Sequence, residues 1–182
     1  AIGTQHLERF GSLENTTLGK FELVDAVDPS KALVNLDNEL IASRIGLEKY
    51  KGIKTYSLEN KKADFYTSSK KIVGGITSFN LTYKDETFSF STQLFGCSNL
   101  SNLVGAIGMA LMLKVSYRQI TERLLPLSPS PHRLEIKKIG RSTLIDDAFS
   151  SNEQGFVNLI ADMKQLAGKK VIITPGIVEL GH

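Results

Sequence analysis

The stretch Pro126-Leu127-Ser128-Pro129-Ser130-Pro131-His132-Arg133-Leu134-Glu135 divides the chain. It contains three prolines within six positions, and each proline lacks the amide N–H that a helix requires. We therefore predict a linker here. It would separate one domain, residues 1–127, from the beginning of a second, residues 128–182.

Charged side chains follow this linker. Arg133 comes two residues after the last proline, and Asp146 and Asp147 follow the apolar run of residues 143–145. Such positions, at the end of a strand and beyond a domain joint, commonly hold ligands in α/β proteins. Arg133 and Asp147 are therefore candidate site residues, and a salt bridge that steadies the joint is their alternative role. Asp146 is interpreted as structural, because neighbouring side chains of a strand point to opposite faces.

The composition argues against several classes of protein. A formal charge of +3 over 182 residues, with acidic residues between the lysine pairs, is too small for a nucleic-acid-binding surface. The single cysteine, Cys97, excludes an internal disulfide framework, which favours a reducing compartment such as the cytoplasm. The longest apolar run, residues 103–115, is too short to span a bilayer. We expect a cytoplasmic monomer that binds neither nucleic acid nor membranes.

Strands and helices alternate in the pattern of the first 127 residues, which predicts an α/β fold with a parallel sheet. A helix is predicted to begin at Asn15 or Thr16, and strand, helix and strand follow at residues 32–36, 40–49 and 53–58. From residue 64 to residue 94 the period changes to two, which predicts an antiparallel hairpin that turns at residues 84–86.

An apolar helix is predicted at residues 99–115, where Gly105 and Gly108 would permit close approach of a neighbour. A shorter helix at residues 117–125 leads into the linker. Beyond it, the pattern predicts two short strands around residues 139–142, a helix capped by Ser151, and a β-branched strand at residues 170–174. Strand, helix and strand form one βαβ unit, which is too little for a domain. Because the chain also lacks an initiator Met, we expect it to be a piece of a longer polypeptide.

Several segments, taken in order, resemble motifs of the Mur ligase family. They are His6-Leu7-Glu8-Arg9-Phe10-Gly11-Ser12-Leu13, Gly19-Lys20-Phe21-Glu22, Asn35-Leu36-Asp37-Asn38, Gly96-Cys97-Ser98-Asn99-Leu100-Ser101-Asn102, Pro131-His132-Arg133-Leu134-Glu135 and Ile145-Asp146-Asp147-Ala148-Phe149-Ser150-Ser151-Asn152. Their order and spacing agree with the family over essentially the whole chain. The motifs are most similar to those of the branch that uses D-alanyl-D-alanine.

This resemblance implies part of a central ATP-binding domain, followed by the start of a Rossmann-like C-terminal domain. It implies an ATP-dependent amide ligase of peptidoglycan precursor synthesis, in which an amine attacks an acyl phosphate. The expected cofactors are ATP and Mg²⁺, and the expected substrates are a UDP-N-acetylmuramoyl tripeptide and D-alanyl-D-alanine. No G-x-x-x-x-G-K-[ST] phosphate loop occurs in the sequence, so we expect this piece alone to be inactive.

The resemblance also implies roles for individual residues. His6 matches a ligand of one magnesium ion. Lys20 matches a lysine that takes up carbon dioxide as a carbamate, and an anionic oxygen donor suits magnesium where an ammonium would repel it. Unaided, the pattern favours a loop histidine and a solvated helix lysine at these two positions.

Four further residues match positions at the nucleotide. Asn99 and Asn102 match asparagines beside it, with Asn102 directed toward the adenine, although Asn99 could instead cap the helix that follows. Arg133 matches an arginine that reaches the ATP phosphates when the domains close. Asp147 matches an acidic residue that holds the ribose or orients that arginine.

The sequence departs from the family pattern at some motif positions. Ser98 stands where the family usually has histidine, Phe149 where the most similar branch has tyrosine, and Ser150-Ser151 where that branch has Asn-Ala. These departures leave the acceptor amine open. A Mur-like scaffold or binding module without catalysis is the alternative function.

Overall fold

A computed structural model of the chain describes residues 2–3, 7–73, 75–149 and 152–177. We call the described residues up to 127 the first region and those from 128 to 177 the second region. The helices are α1 (Leu7–Phe10), α2 (Leu13–Asp25), α3 (Glu39–Ile45), α4 (Cys97–Met112), α5 (Tyr117–Leu124) and α6 (Glu153–Lys164). The strands are β1 (Leu33–Asn35), β2 (Lys54–Ser57), β3 (Phe65–Val73), β4 (Ile76–Tyr83), β5 (Glu86–Thr92), β6 (Glu135–Ile139) and β7 (Ser142–Asp146).

The first region contains one mixed sheet with the strand order β1-β2-β3-β4-β5. Strands β1, β2 and β3 run parallel, whereas β3, β4 and β5 pair in antiparallel fashion. Lys84 and Asp85 form the tight turn between β4 and β5, with left-handed φ angles of 48° and 65° that match the twist of a hairpin. The predicted α/β class, with a parallel sheet and an antiparallel hairpin, is confirmed.

The main core lies between this sheet and α4. Phe65 on β3 is fully buried there. A Cβ at Gly108 would lie only 2.9 Å from Leu33 Cδ2, and one at Gly105 would lie 3.0 Å from the Tyr56 ring, so both glycines let the helix approach the strands. The close approach predicted from these glycines is confirmed. No helix within the described ranges is both long and apolar enough to cross a membrane.

The first predicted helix boundary is wrong. Helix α2 begins at Leu13 rather than at Asn15 or Thr16, because the Ser12 side chain caps it by accepting the Asn15 N–H at 3.0 Å. Gly11, directly before this cap, has a left-handed φ of 76°. Thr16 is instead a buried residue inside the helix.

The second region consists of a hairpin and a helix. Strands β6 and β7 form a separate antiparallel pair around the predicted turn, and α6 is capped by Asn152, which accepts the Gly155 N–H at 2.8 Å. The predicted cap, Ser151, lies outside the described residues. The strand predicted at residues 170–174 is wrong, since within the described part of the chain this segment pairs with no strand. The predicted βαβ unit is therefore a hairpin followed by a helix.

Candidate functional site

Polar side chains at the carboxyl ends of β1 and β2 are fixed by hydrogen bonds. Asp37 accepts hydrogen bonds from the Ser57 hydroxyl and, at 2.8 Å, from the Leu58 N–H. Asn35 Nδ2 donates to Ser101 Oγ on α4 at 3.2 Å. Because the carboxyl ends of parallel strands meet at one edge of a sheet, this edge is where α/β folds hold ligands. The bond between Asn35 and Ser101 ties the N-terminal half of α4 to this edge of the sheet.

The start of the described chain reaches the same edge. Asn38 Oδ1 accepts the Ile41 N–H at 3.2 Å and caps α3, while Asn38 Nδ2 donates to the Ile2 carbonyl at 2.7 Å. His6 lies outside the described residues, so its role as a metal ligand stays a prediction. Lys20 lies exposed on α2, next to the buried Phe21, and within the described ranges its amine has no hydrogen-bond or ion-pair partner.

Asn99 and Asn102 lie about one turn apart near the N-terminus of α4. Asn99 Nδ2 donates to the Phe95 carbonyl at 2.9 Å, which steadies the segment that enters the helix and leaves Oδ1 available as an acceptor. Asn102 is exposed to solvent. Gly96 is the residue at the N-cap, so the alternative role of Asn99 as the cap is wrong.

Arg133 is presented by a constrained loop. Its neighbours His132 and Leu134 adopt left-handed φ angles of 60° and 51°, which cost about 1–3 kcal/mol each in residues other than glycine. The guanidinium carbon lies 4.3 Å from the centroid of the Phe149 ring. The Leu134 N–H donates to Asp147 Oδ1 at 3.1 Å, and the Phe149 N–H donates to the His132 carbonyl at 3.1 Å. These contacts hold the strained backbone and keep the guanidinium at the surface.

Asp147 is half-buried beneath this loop. Burial raises the pKa of its carboxyl above the usual range, and the bond from Leu134 and the charge of Arg133 oppose that rise. Within the described residues Asp147 and Arg133 form no direct salt bridge, because the carboxylate bonds to the backbone after Arg133 instead. Asp147 therefore shapes the loop that carries the cation.

Asp146 anchors the other side of the loop. Its Oδ2 accepts from Lys137 Nζ at 2.8 Å and lies 2.8 Å from His132 Nδ1, and these two partners, Lys137 first, lower the pKa of the carboxyl to about 2. Lys137 Nζ also lies 3.0 Å from Glu135 Oε2. His132, Glu135 and Asp146 place possible metal-ligating atoms within 4.8 Å of one another, but the Lys137 ammonium already forms salt bridges with both carboxylates. We interpret this cluster as structural support, the role predicted for Asp146.

The Arg133 loop contacts the start of α4. Leu134 is buried, and its Cδ1 lies 3.0 Å from the point that a Cβ on Gly96 would occupy. Since Leu134 follows Arg133 directly and Gly96 precedes α4, the structure brings Arg133 and Asp147 beside the helix of the two candidate asparagines. No hydrogen bond or ion pair within the described ranges joins Lys20 to this group.

Sequence reasoning assigned no role to Asn35, Asp37 or Ser57, which organise the edge of the sheet. Asn35 and Asp37 belong to the motif at residues 35–38, and their position just after a buried strand is a usable signal for a site residue. Ser57 ends β2 and carried no such signal. Its partner Asp37 lies 20 residues away in the chain.

Residues 1–110 match the model of a protein family, the Mur ligase middle domain. The chain belongs to the Mur ligase family. This placement agrees with the mixed sheet and with the polar edge beside α4. The match ends within α4, shortly before the linker.

Individual Mur ligases are similar to nearly the whole chain. The UDP-N-acetylmuramoyl-tripeptide–D-alanyl-D-alanine ligase of Buchnera aphidicola is 29% identical over an alignment of 184 residues that covers 100% of this chain and 40% of the relative. A MurF crystal structure from Acinetobacter baumannii superimposes with a TM-score of 0.85 at 24% identity, covering 99% of this chain and 39% of that one. MurF from Thermotoga maritima in complex with ADP gives 0.85 at 19% identity, with 99% and 41% covered. The two structures show a shared fold, and the chain spans about two fifths of these relatives.

Proposed function

We propose that the full-length protein forms an amide bond at the expense of ATP during peptidoglycan precursor synthesis. The proposed reaction adds D-alanyl-D-alanine to a UDP-N-acetylmuramoyl tripeptide. Membership of the Mur ligase family supports the ATP-dependent ligation, and the similarity to the Buchnera ligase supports the choice of amine. The observation that carries the proposal is the exposed, constrained guanidinium of Arg133 beside the start of α4.

Arg133 is proposed as the cation that stabilises phosphoryl oxygens. A guanidinium is planar and permanently charged, so it suits phosphate oxygens at any physiological pH. Its stacking on Phe149 limits its motion and lowers the entropy that is lost when it engages a ligand. Asp147 is proposed to position this loop by accepting the hydrogen bond of the Leu134 N–H, and it takes no direct part in the reaction.

The residues of α4 fit the neutral part of a nucleotide. Asn102 is exposed and offers both a donor and an acceptor, and the oxygen of Asn99 accepts no hydrogen bond from the residues that the structure describes. Amide groups of this kind can pair with the edge of a base. We propose that Asn102 contacts the adenine and that Asn99 supports the same part of the site.

Lys20 fits the proposed carbamate because its amine is exposed and, in the described part of the chain, unpaired. Carbon dioxide reacts with an uncharged amine, and the product carries two oxygen donors of the kind that magnesium prefers. Lys20 and His6 would then hold one Mg²⁺, which supplies charge neutralisation next to the phosphates when it is bound. We propose that the full-length protein binds ATP together with this ion.

We further propose that residues 1–127 and 128–182 belong to two domains of a cytoplasmic monomer. In the described part of the chain the hydrogen bonds between the regions are those of Asp162 with Cys97, so a rotation of one region against the other breaks few polar contacts. Limited proteolysis of the full-length protein should cleave first within the proline-rich linker, and size-exclusion chromatography should report one copy.

The test is a turnover assay with the full-length gene product, ATP and Mg²⁺. ADP release should require both the UDP-N-acetylmuramoyl tripeptide and D-alanyl-D-alanine. Turnover with a single amino acid instead of the dipeptide would assign the protein to another branch of the family. A folded product that binds nucleotide without turning over on any amine would support the scaffold alternative.

The carbamate is tested by substitution in the same assay. Lys20→Ala should abolish turnover, and small carboxylic acids should restore part of it because they can replace the missing carboxylate oxygens. Lys31→Ala, at another exposed lysine of the first region, serves as the control and should keep full activity. Full activity of Lys20→Ala without added acid would remove the carbamate from the proposal.

A further inference from the structure

Asp162 of α6 reaches across the joint to the start of α4. Its side chain is buried, with a relative exposure of 3%. The Cys97 N–H donates to Asp162 Oδ2 at 2.8 Å, and the Cys97 thiol donates to Oδ1 at 3.2 Å. Both carboxylate oxygens are therefore engaged by one residue of the other region.

The site of this contact favours a carboxylate. Cys97 is the first residue of α4, and the N-terminus of a helix carries partial positive charge and unpaired N–H groups. Burial raises the pKa of the Cys97 thiol, with Asp162 acting in the same direction and Lys70 against it, which keeps the thiol protonated as a donor. Lys70 Nζ lies 3.0 Å from the sulfur.

Gly96 leaves the space that the contact requires. It adopts φ 91° and ψ 152°, a conformation that is essentially restricted to glycine. A Cβ there would lie 3.1 Å from Asp162 Oδ2 and 3.0 Å from Leu134 Cδ1. Asp162 and Leu134 thus meet the same glycine from the second region, and Leu134 is the residue that follows Arg133.

Other polar contacts between the regions are lacking in the described part of the chain. Within the described ranges, the hydrogen bonds that cross from one region to the other are the two between Cys97 and Asp162. Lys137, Asp146 and Asp147 bond within the second region. Asp162 therefore supplies the polar contacts that orient the second region within the described ranges, and Leu134 adds an apolar contact at Gly96.

We infer that Asp162 is a latch that fixes the second region against α4 and thereby positions Arg133 over the proposed nucleotide site. Asp162 is a positioning residue, since it contacts Cys97 rather than a substrate. Its consequence for catalysis rests on the proposed function, whereas its consequence for orientation does not. The two can be measured separately.

The orientation test uses spin labels on the full-length protein. Labels are attached through a ketone-bearing amino acid at Leu113, exposed at the end of α4, and at Arg141, in the hairpin turn, so that Cys97 remains unmodified. The unaltered protein should give one narrow distance distribution. Asp162→Ala should lose the single narrow peak, whereas Glu153→Gln, which neutralises an exposed carboxylate on the same helix, should leave the peak unchanged.

Two further variants keep the inference testable if Asp162→Ala fails to fold. Asp162→Asn preserves the volume and removes the charge, and Cys97→Ala removes only the thiol donor; both should broaden the distribution, the first more than the second. In the turnover assay, with kcat calculated per folded molecule, Asp162→Asn should lower kcat with little change in the KM for ATP, whereas a general loss of stability would lower only the folded fraction. A folded Asp162→Asn protein with the original distance distribution would overturn the latch. Failure of all turnover, with a distribution that still depends on Asp162, would overturn the proposed function and leave the latch standing.

Discussion

The two regions bury side chains of different kinds. The first region contains nearly all the buried apolar residues, including Phe65, Leu81 and Ile107, whereas Leu134 is the one beyond residue 127 among those described. The second region is held instead by a network around Asp146 and by the buried carboxylate of Asp162. Apolar packing resists deformation, while a few polar contacts can break and re-form together. This difference is consistent with the proposal that the first region fixes the ligand and the second moves against it.

The largest effect should follow from opening the core of the first region. Phe65 is fully buried and stacks on Tyr83 with ring centroids 4.0 Å apart. Phe65→Ala should lower the free energy of unfolding of the full-length protein by about 3–5 kcal/mol, because it removes the ring and leaves a cavity. Denaturant titration measures this, with the exposed Val171→Ala as the matched change in the second region.

The expected effect of Val171→Ala is within about 0.5 kcal/mol. Equal losses from the two substitutions would contradict the claim that burial of Phe65 in the core of the first region is the source of the loss.

A smaller effect should follow from a substitution at the joint. Gly96→Ala places a Cβ against both Leu134 and Asp162 and forces alanine into a conformation it disfavours. We expect a loss of about 1–3 kcal/mol in the free energy of unfolding, measured by denaturant titration. Gly3→Ala is the control, since nothing lies within 4 Å of its added Cβ. A neutral Gly96→Ala would show that the two regions do not meet at this residue.

The smallest effect should follow from lowering the pH, which acts on Asp146 in the second region. The folded pKa of Asp146 is about 2, below the usual value of an unfolded aspartate, so its contribution to stability is full above about pH 4 and disappears as the pH falls toward 2. Amide hydrogen exchange should then increase in β6 and β7 while the sheet of the first region stays protected.

The matched variant for this titration is Lys137→Met. Because Lys137 is the main cause of the low pKa, the variant should raise the pKa of Asp146 toward its ordinary value, and NMR titration of the carboxyl measures it. Acid exchange that begins in β3 or β4 before β6 would reverse the proposed order of stability.

Local patterns predicted the elements whose partners are close in sequence. The alternation around Phe79 and Phe90 indicated the hairpin, and Gly105 and Gly108 indicated a tightly packed helix. The proline-rich stretch is predicted as a linker, and residues 126–134 contain neither helix nor strand in the structure.

Long-range partners could not be predicted in this way. Asp162 has the sequence appearance of an ordinary polar helix residue, and only the fold brings it to Cys97, 65 residues earlier in the chain. The β-branched run at residues 170–174 predicted a strand, but a strand needs a neighbour, and the described part of the chain supplies none. The motif resemblance indicates Arg133 and Asp147, whereas the stacking of Arg133 on Phe149 is visible only in the folded structure.

The most direct test of the proposed role of the second region compares two arginines of the full-length protein. Arg133→Ala should lower kcat of the ATP-dependent ligation by about 10²–10³-fold, the usual cost of removing one group that stabilises developing charge. Arg141→Ala removes an equally permanent charge from the exposed hairpin turn and should leave kcat unchanged. Equal kcat values for the two variants would contradict the claim that the second region delivers Arg133 to the nucleotide site.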